Sequence, residues 1–184
     1  MGFRHPALGG ATTSSELGLL AKAADTLGSP NPIQALRHVD CDPPAVAELA
    51  ARLAESAEVL EDASADLGTA LGEIGTGWSG AGHEAFAESA AAVQHRYKET
   101  TARTHDGAQG GAEVASTLDS LAGTVADRAL SVAGGAAEAS RRVLAGESGD
   151  SAEVVNEACR TIVLTVQDAV RSIGDLAGKL ANHA

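Results

Sequence analysis

Aromatic residues are nearly absent: the 184-residue chain holds four, Phe3, Trp78, Phe86 and Tyr97. A β-sandwich or barrel of this length builds its core from aromatic and β-branched residues, so their scarcity argues against both and favours alanine-rich helices. Proline is confined to the first 44 residues (Pro6, Pro30, Pro32, Pro43, Pro44), which leaves everything beyond Pro44 free to be helical. Charged residues interrupt every long segment, and no apolar run approaches the roughly 18 residues that a bilayer-spanning helix needs. Residues 1–10 carry a single Arg4 and no apolar run follows, so no cleaved secretory signal is expected. Basic residues are outnumbered, 13 against 25 acids, for a net charge of −12 that argues against a nucleic-acid partner. Cys41 and Cys159 lie far apart with no CxxC spacing, so two free thiols are expected rather than a disulfide framework or a zinc module.

What is present is helical periodicity. Leu17, Leu20, Ala24 and Leu27 predict one short amphipathic helix over 14–27, ended by Gly28 and Ser-Pro, with a further turn over 33–39. This arm, 1–42, is too short for a core of its own and is expected to pack on the remainder or stay mobile. From Pro43, Val46, Leu49, Leu53, Leu60, Leu67, Leu71 and Ile74 recur at intervals of 3, 4 and 7, predicting a rod of about 45 Å. Its other faces carry seven acids (Glu48, Glu55, Glu58, Glu61, Asp62, Asp66, Glu73) against Arg52. Gly75, Gly77 and Gly80 end it. A second helix should start near Ala81, with Phe86, Ala90, Val93, Tyr97 and Thr104 on one stripe, and should break or weaken at the glycines of 106–111. Segment 112–145 repeats the seam, with a kink expected at Gly134-Gly135 and a turn at 146–151. The final helix, 152–181, has regular heptads: Val155, Ile162, Ala169 and Leu176 interleaved with Cys159, Val166, Ile173 and Leu180, plus an Asp175–Lys179 pair outside. The fold expected is all-α: long antiparallel helical hairpins, 43–106 and 112–183, forming a four-helix bundle over 43–184, with a short helical N-terminal arm.

The sole tryptophan sits in Gly75-Thr-Gly-Trp-Ser-Gly80, between two amphipathic helices, where turns ordinarily hold small polar residues. One use for it is to close the open end of the hairpin core. An acidic helix, Gly77-Trp78-Ser79-Gly80, Ala81, then Ala85-Phe86 and a second amphipathic helix together resemble the WXG family of helical-hairpin proteins exported by type VII secretion systems, over roughly 43–106. The resemblance implies a four-helix assembly of two hairpins, in which the partner is another hairpin protein or a second copy. It also implies a non-enzymatic role, with no cofactor, and export through a membrane ATPase complex, met directly or through the partner. Trp78, Ser79, Gly80, Phe86 and Tyr97 are then the recognition residues. On this reading the protein is cytoplasmic before export and afterwards secreted or envelope-associated. The chain is nearly twice the length of one such hairpin, so its second hairpin is a candidate substitute for the dimer partner. The family's export signal, a tyrosine with an acid four residues later, has no match: Thr101 follows Tyr97 at that spacing. The rival expectation keeps the fold and makes the chain an acidic cytoplasmic scaffold or self-associating bundle.

Residues that could carry catalysis or bind metal are sparse. His38, Asp40, Cys41 and Asp42 cluster, but no second ligand pair stands at zinc spacing. Cys159 falls on an apolar stripe, where a thiol behaves as a small hydrophobe. His95, Tyr97 and Glu99 are expected to point apart on their helix, and His83 and His105 have no evident carboxylate or cysteine partner. Neither a phosphate loop, a nucleophile elbow nor an HExxH motif occurs, so no catalytic or metal-binding residue is nominated.

Overall fold

The computed structural model describes residues 2–147 and 149–181, with side chains as far as Gly178. Ser148 of the expected turn lies outside the described residues, as do the side chains of Lys179, the partner of Asp175, and of Leu180 in the seam. Among those described, the elements are helices, with no strand: α1 (Pro6–Thr12), α2 (Ser15–Leu27), α3 (Pro32–Leu36) leading into a 3-10 turn (Arg37–Val39), α4 (Pro43–Gly75), α5 (Ala81–Gly135), α6 (Ala137–Leu144) and α7 (Gly149–Ala181). The all-α expectation holds.

The chain folds as two compact units, residues 1–43 with 114–183 and residues 44–113. This division differs from an arm followed by one bundle. The reason lies in the first unit, where α2 packs against α6 and α7, and α3 against α7. Leu8, Leu17, Leu20 and Leu36 of the arm share one core with Val125, Val143, Val155, Cys159, Ile162 and Val166. The arm's leucines thus find a partner surface more than 80 residues downstream instead of on the neighbouring acidic helix.

Local signals set the arm's geometry. Ser14 caps α2 by accepting from Leu17 N–H at 3.2 Å, and Gly28 closes it with φ +69°, a left-handed conformation that favours glycine. Asn31 Oδ1 accepts from Ile33 and Gln34 N–H at the start of α3. Helix α1 was not signalled by periodicity, because Pro-Ala-Leu-Gly-Gly-Ala-Thr offers few apolar residues; the proline at its start fixes φ for helix entry. Asp40 ties the arm down: its Oδ1 accepts from Arg4 N–H at 2.9 Å and His5 N–H at 3.1 Å. The buried His5 ring in turn meets Asp119 of α5 at 3.1 Å through Nε2.

In the second unit, α4 lies along the first part of α5. A Cβ placed on Gly111 would stand 3.0 Å from Ala50 Cβ, one on Gly107 would stand 3.9 Å from Leu53 Cδ1, and one on Gly68 would stand 3.0 Å from Gln94 Nε2. As the α4 number rises the α5 number falls, so the two helices run in opposite directions. Of the alternatives at 106–111, a break or a helix that continues, the structure has the continuous helix. Glycine at 111 serves close approach to α4, and its helix cost of about 1 kcal/mol is absorbed inside a long continuous helix. The expected discontinuity at Gly134-Gly135 does occur, as the junction between α5 and α6.

Burial differs sharply between the units. In residues 44–113 the buried side chains are Ala50, Ala57 and Ala108, whereas Leu49 is 59% and Val59 67% exposed. Accordingly Ile162→Ala, which empties a site 1% exposed in the first unit, is expected to cost about 2 to 5 kcal/mol. Leu60→Ala, in the half-buried seam of the second unit, should cost less. Thermal and urea unfolding followed by circular dichroism check both.

Candidate functional site

The tip of the α4–α5 hairpin is built by its glycines and one indole. Helix α4 ends where Thr76 turns back on Glu73: its N–H donates to the Glu73 carbonyl at 3.4 Å and its Oγ1 at 2.8 Å. Gly80 has φ +101°, and its carbonyl opens α5 by accepting from His83 N–H at 2.9 Å and Glu84 N–H at 3.1 Å. Glu84 in the first turn of α5 complements the helix dipole. The backbone reversal at Gly80 turns Trp78 toward α5.

The Trp78 ring lies 5.3 Å from Phe86, tilted by 45°, and 5.6 Å from His83 in an edge arrangement at 76°. Both spacings fall within the range for favourable aromatic pairs. A Cβ on Gly82 would stand in ordinary contact with the indole, 3.5 Å from Trp78 Cζ2. Behind the cluster, Leu71, His83, Phe86 and Ala90 line a small cavity of about 170 Å³. Trp78 remains 44% exposed, so the indole covers the hairpin end on one side and presents an apolar face on the other. Ser79 beside it is exposed.

The structure thus brings Trp78, Ser79, Gly80 and Phe86 together at the tip and leaves Tyr97 apart. Eleven residues separate Tyr97 from Phe86, about 16 Å along the helix at 1.5 Å per residue. There it is half-buried on the stripe turned toward α4, and its carbonyl accepts from Thr101 Oγ1 at 2.9 Å. His83 belongs to the tip and was missed in the sequence, where it was weighed for carboxylate and cysteine partners. The available signal was its position three residues before Phe86, which places both rings on one helix face.

Residues weighed for chemistry have other engagements. Asp40 is committed to the backbone of Arg4 and His5, and Cys41 Sγ lies 3.9 Å from the Leu118 carbonyl. Among the described residues, no group of three or more His, Cys, Asp or Glu side chains is placed to hold a metal ion. His95 and Glu99, expected to point apart, come within 3.5 Å, since the i,i+4 spacing puts them on one face. Both are solvent-exposed and stand well away from the Trp78 cluster in sequence. Burial, with Asp25 adding to it, pushes the Cys159 thiol up to about 11; burial, followed by Asp40, Asp119 and Asp42, also raises Cys41. No helix among the described residues is long and apolar enough to cross a membrane.

Compared with known proteins, the chain matches no family model, no curated protein and no solved structure.

Two outcomes follow. Gly80→Ala forces a Cβ into the left-handed region and should cost about 1 to 2 kcal/mol in chemical denaturation. A raised folded-state thiol value means that the Cys159 contribution to stability is fully present below pH 9 and is lost as pH rises through about 11. Iodoacetamide should therefore modify Cys41 in the native protein at neutral pH and spare Cys159; native modification of Cys159 at the denatured rate would show a reactive thiol.

Proposed function

We propose that the chain is a non-enzymatic helix-pairing protein of the WXG type, acting as a type VII secretion substrate, partner or adaptor through its 44–113 hairpin. The observation that carries the proposal is the incomplete burial of that hairpin. Its buried side chains are alanines, while Leu49, Val59, Ile74, Trp78 and Val93 are each more than 40% exposed. Scattered exposed apolar residues are ordinary, but exposed Leu49 and Ile74 on one side of α4, leading to an exposed indole, make a surface suited to another helix pair.

Docking a second hairpin on this face completes a four-helix bundle and gives the large side chains the core that two helices cannot supply. The tip would then present Trp78, held by Phe86 and His83, with Ser79 and Gly80 shaping the turn for the export machinery. Because Thr101 stands where the export signal carries an acid, the bound partner supplies that signal. Export through the ATPase complex is in this reading a property of the assembly, with the protein cytoplasmic beforehand and secreted or envelope-associated afterwards.

The test compares culture filtrate with lysate in the native host, with and without the type VII ATPase. ATPase-dependent appearance in the filtrate is expected, reduced by about tenfold or more in Trp78→Ala, the scale of losing an aromatic anchor. The Trp78→Phe variant should restore little of it. Retention in the lysate of both strains, beside a cytosolic marker, would favour the acidic intracellular scaffold.

A further inference from the structure

The N-terminal arm holds a cavity that lies outside the hairpin altogether. Asp40 draws the backbone of Arg4 and His5 to the end of the 3-10 turn, and Phe3 then lies under Arg37, whose guanidinium carbon is 5.2 Å from the ring centroid. Phe3 and Ile33 also rest against the core of the first unit. Two apolar side chains and one cation are thus held in place together, and they line a cavity of about 510 Å³, a volume within the range of small-molecule sites. Helix α1 supplies the rest of the wall through Gly9 and Gly10, with Thr12 and Thr13 after them.

Two adjacent glycines in a seven-residue helix call for a reason, because only proline is costlier in a helix interior. The usual reasons do not apply. Positive φ occurs at Gly28, Gly80 and Gly146, so Gly9 and Gly10 hold backbone that any residue could adopt. Nor do they admit a close neighbour: a Cβ on Gly10 would meet nothing within 4 Å, and one on Gly9 would stand at ordinary contact, 3.8 Å from Phe3 Cβ. What the pair does provide is bare backbone along the cavity wall, in space that side chains would otherwise fill.

The lining is also chemically selective. Among the described residues it contains no acid, and Arg37 is its one charged side chain, in a chain of net charge −12. Thr12 and Thr13 donate their hydroxyl protons to the carbonyls of Gly9 and Gly10, each at 2.9 Å, so toward a ligand their oxygens are acceptors. The donor for an anion is therefore Arg37. A guanidinium has five N–H donors in a planar fork, enough to grip a carboxylate through two of them while others serve the protein. Its plane and the Phe3 ring favour a flat partner, which a wall of bare backbone admits. A single cation balances a monoanion, whereas a phosphate, nearly doubly charged at neutral pH, would call for more. We propose that this cavity binds a small planar aromatic carboxylate, with its carboxylate on Arg37 and its ring against Phe3, Ile33 and the Gly9-Gly10 backbone. The site belongs to the first unit and is independent of the helix-pairing function of the 44–113 hairpin.

Titration of the full chain with indole-3-acetate tests this, by isothermal calorimetry for affinity and by amide NMR shifts for place. Saturable binding is expected, with shifts concentrated in residues 2–13 and 33–37. Indole-3-acetamide keeps the ring and loses the charge; cyclohexaneacetate keeps the charge and loses the flat ring. Each should bind at least about tenfold more weakly. Arg37→Gln, at an exposed position, should weaken indole-3-acetate by at least about tenfold as well. Gly10→Leu should abolish binding by filling the cavity and, because leucine suits a helix interior better, should raise the thermal midpoint followed by circular dichroism. A wild type that binds nothing up to about 1 mM ligand would overturn the inference, as would equal affinity for the amide, indifference to Arg37→Gln, or shifts centred elsewhere. A Gly10→Leu chain that binds like the wild type would place the ligand outside this cavity, and one that melts earlier would show the glycine kept for packing; either result also overturns it.

Discussion

The close approach of small residues along α4 and α5 governs the second unit. Glycine at 111 stands against Ala50, and the buried side chains of this unit are Ala50, Ala57 and Ala108. A seam of glycine and alanine brings two backbones together but removes little apolar area from water, and each square ångström contributes only about 25 cal/mol. The larger residues of the same helices cannot fit between backbones this close. They occupy the flanks, half-buried at Leu60 and Leu67 and exposed at Leu49 and Ile74. Apolar side chains left at the surface are thus the geometric counterpart of a tight seam.

The first unit solves the opposite problem. Its helices carry leucine, isoleucine and valine on their facing stripes, and these meet in a core shared by the arm and the C-terminal helices. Only the last part of α5 takes part in it, through alanines such as Ala122, Ala126 and Ala129 with Val125. One helix therefore serves two packing regimes, and its composition changes along its length to match.

Much of this was legible in the sequence, for identifiable reasons. Helix α2 announced itself through the Leu17–Leu20–Ala24–Leu27 spacing and Gly28, local signals that the structure uses. The ends of the α4–α5 turn followed from Gly75 and Gly80. At glycines 107 and 111 a break and a continuing helix stayed open as alternatives, because helix-breaking and close-packing glycines look alike until the facing residue, Ala50 for Gly111, is known. The pairing of the arm with α6 and α7 was hidden because periodicity shows that a stripe must be covered but not by what. His83 was overlooked as part of the tip since its partners there are aromatic rings. Trp78 meets Phe86 at the tip beside Ser79 and Gly80, whereas Tyr97 sits further along α5.

The interleaving of the two units has a consequence for synthesis. A chain emerges from the ribosome in sequence order, at about 5 to 20 residues per second. The arm of residues 1–43 comes out first, yet its core partners lie in 114–183. Leu17 and Leu20 wait on the order of ten seconds for the surface that buries them, while the intervening hairpin forms from neighbouring residues. For that interval the nascent protein holds a local, early-folding middle and an unpaired amphipathic beginning. That first segment keeps its apolar stripe uncovered until α7 has left the ribosome.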